Sequence, residues 1–506
     1  MNINIHAAAV VGIDARLVDV EADILYGLPH FSVVGLPDAA VQEARERIRS
    51  AIKNSGFAFP RTRITVNLAP ADIKKEGSMF DLPIALSILI AQGIVIFRNT
   101  GTRLFAGELA LDGTTRSIRG VISIAVHARE MGIRELYVPA CDAREAAMIP
   151  GIDIYPVKNL HMLVEHISGV KKIPILKNIR MQSADSGHQT RVDFSDIKGQ
   201  QHVKRALEIA ASGGHNVLLT GPPGVGKTML ARAMIAILPP LTLEESLQVT
   251  KIYSVAGLLS RAQPLVTARP FRSPHHTASG VALVGGGATP KPGEISLAHR
   301  GILFLDEFPE FPRVVLENLR QPLEDGVISV SRASGTYIFP AQFTLIAAMN
   351  PCPCGYAGHP QRQCVCPPAA VTKYQKRISG PLLDRIDLHV EVPHVEFEKL
   401  TDTSVGETSE QIRSRIILAR NCQQKRFGNR RIFTNAEMSP RELRAWCAVD
   451  SASAQILRQA VERLRLSARS YIRILKIART IADIEGQECI GSVHVAEALQ
   501  YRSKAE

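Results

Sequence analysis

A run that reads as a buried strand, Asn216-Val217-Leu218-Leu219-Thr220, passes directly into GPPGVGKT at residues 221–228. A helical pattern follows from Lys227 to Leu238 and is stopped by Pro239-Pro240. No other feature constrains the fold as strongly. Gly221, Gly224 and Gly226, with Pro222, Pro223 and Val225 between them, form a loop whose backbone N–H groups can turn toward an anion. Lys227 is spaced to reach β- and γ-phosphates, and the Thr228 hydroxyl to hold Mg²⁺. The helix N-terminus adds the positive end of its dipole. Strand, loop and helix in this order make one unit of a parallel α/β sheet, and the ligand they imply is the phosphate of a nucleotide, with Mg²⁺.

Length and composition set the frame around this loop. A chain of 506 residues has room for roughly three or four domains of ~100–200 residues. With 45% hydrophobic and 21% charged residues it reads as ordinary globular protein. The net charge of +12 favours a polyanionic partner without identifying one. The start, MNINIHAAAV, lacks a basic segment ahead of an apolar core. The most apolar stretch, Leu82 to Phe97, is interrupted by Ser87, Gln92 and Gly93, so it reads as core and no membrane association is expected. Eight cysteines, four of them clustered, do not suggest a disulfide scaffold, and a reducing cytoplasm is expected.

Residues 1–170 mix strand-like runs (64–68, 136–139) with helical ones (39–55, 83–92), as an α/β or α+β domain does. Residues 171–192 are polar and aperiodic and read as a linker. A second α/β unit runs over 193–395, and 396–506 is helical. There Ser451 to Leu466 and Ala468 to Ile484 are periodic, Ser467 is placed as an N-cap between them, and Ser492 precedes a last short helix. This last segment, counted from 401, carries eighteen Lys/Arg and twelve Asp/Glu, so it holds half of the chain's net charge.

The central unit supplies the rest of a hydrolysis site. Gly301-Ile302-Leu303-Phe304-Leu305 suits a strand buried on both faces, and Asp306-Glu307 would then sit at its carboxyl end. Asp306 would complete the Mg²⁺ shell and Glu307 would activate the attacking water. A third strand, 343–349, ends in Asn350, which can hydrogen-bond the water or the γ-phosphate; followed by Pro351 it is equally a turn former. Cys352, Cys354, Cys364 and Cys366 at residues 350–368 form two C-x-C pairs, compatible with a closed structural Zn²⁺ site or with reduced thiols in a turn. His275-His276 in a Pro-flanked loop are read as polar loop residues.

The order of loop, acidic strand and polar strand tip resembles the AAA+ ATPases. Asp196-Ile197-Lys198-Gly199-Gln200 is similar to the segment that packs on adenine, which brings Ile197 into the nucleotide site. Leu383-Asp384-Arg385-Ile386-Asp387 resembles the arginine-finger segment of the branch that holds magnesium chelatases and MCM-type helicases. The resemblance implies that Arg385 reaches a neighbour's γ-phosphate; an intrachain pair with Asp384 or Asp387 is the other reading. Ser467-Ala468-Arg469 resembles that branch's sensor-2 segment, with Arg473 and Arg479 competing for the role. About 78 residues lie between Thr228 and Asp306, generous spacing that corresponds to a helix-2 insertion; it includes Arg272 and Gly285-Gly286-Gly287. Residues 326–343 alternate around Ser334-Gly335, with Arg332 near the tip, and correspond to a pre-sensor-1 hairpin. By this resemblance Arg332 and Arg272 are candidate DNA contacts.

Gly35-Leu36-Pro37-Asp38, Val66 to Asp72, Phe80 to Ala85 and Gly107 to Gly113 extend the likeness over nearly the whole chain, and with the cysteine cluster they resemble the YifB/ComM family. That resemblance implies a Lon-protease-like, ribosomal-S5-like N-terminal domain, a P-loop AAA+ αβα core and a C-terminal helical lid. It implies a homohexameric, ATP-driven DNA helicase that promotes branch migration during natural transformation and homologous recombination, with recombination proteins as possible partners. The alternative is a chelatase- or MoxR-like ATPase that remodels a protein. Proteolysis is not expected. Ile122 and Ile124 stand where the Lon pattern has lysines, and Ser78 has no evident base, since Lys74-Lys75 read as solvated loop charges.

Overall fold

The computed structural model describes residues 4–75, 77–96, 100–177, 192–260, 263–287, 290–332, 335–359, 362–395, 406–428 and 432–502. Residues 178–191 of the expected linker lie outside this set. So do 396–405, at the expected start of the lid, and Ser334 at the hairpin turn.

A seven-stranded sheet organises the N-terminal part, in the order His30–Val34, Arg63–Ala69, Asp14–Leu25, Ile5–Val11, Arg103–Phe105, Glu135–Pro139, Asp153–Val157. Asp14–Leu25 runs antiparallel to both of its neighbours, and the remaining pairs are parallel. Successive residues point to opposite faces. Ala7, Phe105 and Tyr137 therefore join the core under helices Ala39–Asn54 and Asp81–Ala91. Ala8, Leu104 and Leu136 join a second core under helix Val121–Glu130. The Asp81–Ala91 helix is buried from Asp81 to Ile90, which accounts for its apolar sequence. Among the described residues no helix is long and apolar enough to cross a membrane. Lys75 corrects one expectation: it is fully buried, and its Nζ donates to the Pro70 carbonyl.

The central sheet has five parallel strands in the order Phe271–Arg272, Ile302–Leu305, Thr344–Met349, Val217–Thr220, Leu388–Glu391. Every residue of Ile302–Leu305 and of Thr344–Met349 is buried, as a strand covered on both faces requires. Ile302 and Phe304 face the core shared with the loop helix Lys227–Ile237 and the C-terminal helices. Leu303 and Leu305 face the core under the hairpin Val327–Arg332/Gly335–Pro340. Ile328, Val330 and Phe339 anchor the hairpin's base, while Arg332, Gly335 and Thr336 are exposed at its tip.

Helices Ser409–Phe427, Ser451–Leu464, Ala468–Ile484 and Ser492–Gln500 form the C-terminal part. Ser467 caps the third, accepting from the Ser470 N–H. The second ends at Leu464, two residues short of the periodic pattern, because Arg465 takes a left-handed conformation at φ +47°. The cap of the last helix is Gly491, and Ser492 is its first residue. Ile474, Ile477 and Ile481 belong to one core with Val217, Leu219 and Leu230, so the helices close directly over the loop side of the sheet.

Candidate nucleotide site

Parallel strands bring their carboxyl ends to one edge, and the chemistry collects there. Gly224 (φ +83°) and Gly226 (φ +87°) adopt left-handed turns that the loop needs. A side chain on Gly221 would meet the Val392 carbonyl at 2.4 Å. Lys227 folds back into the cradle, donating to the carbonyls of Gly221 (2.6 Å) and Pro222 (2.9 Å) and to Asn350 Oδ1 (3.0 Å). Burial lowers its pKa and the Asp306 charge opposes that, so an anionic ligand would relieve a desolvated ammonium. Gln200 donates to the carbonyls of Val225 (3.1 Å) and Pro393 (3.2 Å) and ties the loop to the buried Ile197 segment.

Thr228 Oγ1 donates to Asp306 Oδ2 at 2.8 Å. These two oxygens fit the Mg²⁺ that accompanies ATP, whose charge would offset that of the phosphates. Glu307 takes a left-handed conformation (φ +51°) that a non-glycine residue rarely holds, and its N–H donates to Asp306 Oδ1 at 2.9 Å. Its carboxylate lies 3.0 Å from His276 Nδ1, a contact that the sequence reading of His276 as a plain loop residue missed. The signal available was its position four residues past an edge strand beside the acidic one.

Arg385 and Arg469 lie at the opposite edge. Arg385 precedes the Leu388–Glu391 strand, and its carbonyl accepts from Asn216 Nδ2 at 3.3 Å. Asn216 precedes the Val217–Thr220 strand and Gly221 follows it. At ~3.3 Å per residue the arginine segment stands more than about 10 Å from its own phosphate loop. Both guanidiniums instead hold one carboxylate: Arg385 pairs with Glu324, and Arg469 reaches Glu324 Oε1 at 3.0 Å. The intrachain partner is therefore Glu324, where the alternative reading of Arg385 had named Asp384 or Asp387. Arg385 Nε is buried with no hydrogen-bond partner among the described residues. Arg473 pairs with Asp387, and Arg479 is buried against Asp483, so neither offers a free cation. The cavity here, about 390 Å³, is lined by Glu324, Arg385, Arg469, Arg473 and Lys476. Glu324 lies in the short helix Arg320–Asp325, which leads through Gly326 into the hairpin; sequence reading had no signal for it.

The four clustered cysteines converge, with all four sulfurs within 4.8 Å of one another. Of the two arginines assigned to DNA, Arg332 is exposed beside Gly286. Arg272 is bonded twice to Glu294, at 2.6 Å each, so within the chain its charge is already matched. Ile122 and Ile124 are fully buried, and Ser78 donates to Glu108.

A phosphate loop, an acidic strand end and a polar strand tip on this parallel sheet, under a helical lid, define an AAA+ ATPase. Three family descriptions match the chain: "Magnesium chelatase, subunit ChlI" over residues 193–400, "Subunit ChlI of Mg-chelatase" over 20–142, and "Magnesium chelatase, subunit ChlI C-terminal" over 406–502. The chain is 45% identical over 505 residues to competence protein ComM of Haemophilus influenzae, spanning 99% of this chain and 97% of ComM. It is 43% identical over 501 residues to YifB of Escherichia coli, spanning 99% and 96%. Lon protease 2 of Bacillus subtilis is 31% identical over 149 residues, 28% of this chain and 26% of that protein. The chain belongs to the YifB/ComM family of magnesium-chelatase-related AAA+ ATPases.

Proposed function

We propose that this chain is an Mg·ATP-driven homohexameric motor that translocates on DNA and promotes branch migration during natural transformation and homologous recombination. The observation that carries the reading is end-to-end likeness to a protein named for competence, at 45% identity over 99% of the chain. The placement of Arg385 and Arg469, remote from their own loop, supports a site completed by a neighbouring subunit. In this reading the loop N–H groups and Lys227 hold the β- and γ-phosphates. Glu307 takes the proton of the water that attacks the γ-phosphorus as the β–γ bridge breaks. Asn350 orients that water, and the neighbour's Arg385 and Arg469 neutralise the charge that develops. The exposed hairpin tip with Arg332 and the net charge of +12 suit a polyanionic load. A structural Zn²⁺ on the four cysteines is part of the reading.

The test is ATP turnover at low salt with no DNA, with single strands and with forked duplex. Stimulation by DNA, and movement of a labelled three-strand junction, are expected. A flat response would overturn the DNA reading. It would favour the alternative, an ATPase that remodels a protein partner, which the three magnesium-chelatase matches support.

A further inference from the structure

The cysteine cluster sits against the nucleotide site. Asn350, which accepts from Lys227, is two residues before Cys352, the one fully buried cysteine of the four. Cys352 Sγ lies 3.3 Å from Cys354 Sγ and 3.6 Å from Cys364 Sγ, and Cys354 Sγ lies 3.6 Å from Cys364 Sγ. A tetrahedral Zn²⁺ with Zn–S near 2.3 Å needs sulfurs about 3.8 Å apart, so these thiols already stand at close to ligating separations. Two backbone N–H groups point at sulfur: Cys354 N–H at Cys366 Sγ (3.4 Å) and Ala357 N–H at Cys352 Sγ (3.3 Å).

The described residues of 350–367 include no helix or strand, only turns. Holding such a segment in one shape costs roughly 1–2 kcal/mol per residue in backbone entropy. The thiols are the groups in it able to repay that through a shared ion. The segment's tip bears on the phosphate loop. Gly355, at φ +86°, approaches Pro223 so closely that a Cβ would meet Pro223 Cδ at 2.6 Å, with Asn350 Cγ 3.9 Å away. On its other side His359 makes an edge contact with His394, just beyond the Pro393 carbonyl that Gln200 holds. The knuckle thus touches the loop at Pro223 and carries Asn350 at its root.

We propose that Zn²⁺ on Cys352, Cys354, Cys364 and Cys366 positions Pro223 and Asn350, so that nucleotide affinity depends on a metal that never touches the nucleotide. The inference rests on the zinc assignment and on the nucleotide site, and is independent of DNA and of ring size. A small-molecule disulfide that exchanges with two of the ligating thiolates, leaving a protein disulfide and two free thiolates of its own and releasing Zn²⁺, would by the same route loosen ATP binding.

The experiment uses the full chain, with metal counted by mass spectrometry and affinity read from a fluorescent ATP analogue. One zinc per chain is expected. The Cys364→Ser/Cys366→Ser variant should lose it and bind the analogue about tenfold more weakly, with the N-terminal domain's unfolding transition unchanged. Gly355→Ala should keep its zinc and still lose affinity several-fold, because the added Cβ crowds Pro223 and strains the turn at φ +86° without removing a sulfur. Lys227→Ala should keep zinc and lose the analogue. A zinc-free, folded cysteine variant that binds like the parent would overturn the proposal while leaving the nucleotide site intact. Absence of zinc from the parent would overturn the zinc assignment itself. Undiminished binding by Lys227→Ala would instead refute the nucleotide site.

Discussion

Glu307 is where residue chemistry is most exposed to test. It is held in a left-handed conformation at the end of a buried strand, with its carboxylate on His276. Replacing it with Gln keeps the shape and removes the base. Glu307→Gln should bind the ATP analogue with parental affinity and turn over at least ~100-fold more slowly, as measured by phosphate release. Intact turnover would remove Glu307 from the mechanism. Lys227, Thr228, Asp306 and Asn350 were legible because each is tied to a strand end, and strand ends are visible as apolar runs that stop at polar residues. His276 and Glu324 were not. Their roles come from side chains meeting across 31 residues in one case, and across 61 and 145 in the other, and no local pattern marks such meetings.

At the scale of elements, two packings carry consequences. The lid helix Ala468–Ile484 buries Asp483, which is held by Arg426 and Arg479 and accepts from Asn435 Nδ2. Asp483→Ala would leave two guanidiniums without their carboxylate. It should destabilise the lid and the core it shares with the sheet by about 3–5 kcal/mol, read from denaturant unfolding. The N-terminal domain packs on the helix Leu243–Ala256 through Glu145, which accepts from Ser254 Oγ and the Ile122 N–H. Burial pushes the Glu145 carboxyl up to about 7, with Asp142 adding to the rise. Its folded pKa thus exceeds its unfolded one, so the folded state binds the proton more tightly. Stability from this contact is full below about pH 4.5 and is lost as pH rises through 7, by on the order of 3 kcal/mol. Glu145→Gln should flatten that pH dependence in thermal unfolding between pH 5 and 8; an unchanged slope would refute the assignment. The helices read from periodicity at 39–55 and 468–484 fell within a residue of their bounds. The end of Ser451–Leu464 did not, because Arg465 reverses the chain in a conformation that sequence assigns mainly to glycine.

For the whole molecule, the decisive geometry is the distance between the two edges of one sheet. Lys227 lies at the carboxyl edge, while Arg385 and Arg469 lie at the amino edge; in the proposed reading one chain thus contributes to two different sites. Mixing Arg385→Ala chains with Lys227→Ala chains should restore part of the lost ATP turnover, since some interfaces then pair an intact loop with an intact arginine. No recovery in verified mixed rings would refute completion in trans. The sequence by itself determined the strand–loop–helix unit, the order of acidic and polar strand tips and the clustering of four cysteines within fifteen residues, whose sulfurs the structure brings together. Those are local, set by spacing and by the physics of burying a strand on both faces. Only the tertiary structure decided that Lys75 is buried, that Arg272 is neutralised by Glu294, that Glu324 holds both arginines, and that Gly355 bears on Pro223. Each of these depends on which distant surfaces the packed cores bring within a few ångströms, and a linear pattern does not encode that.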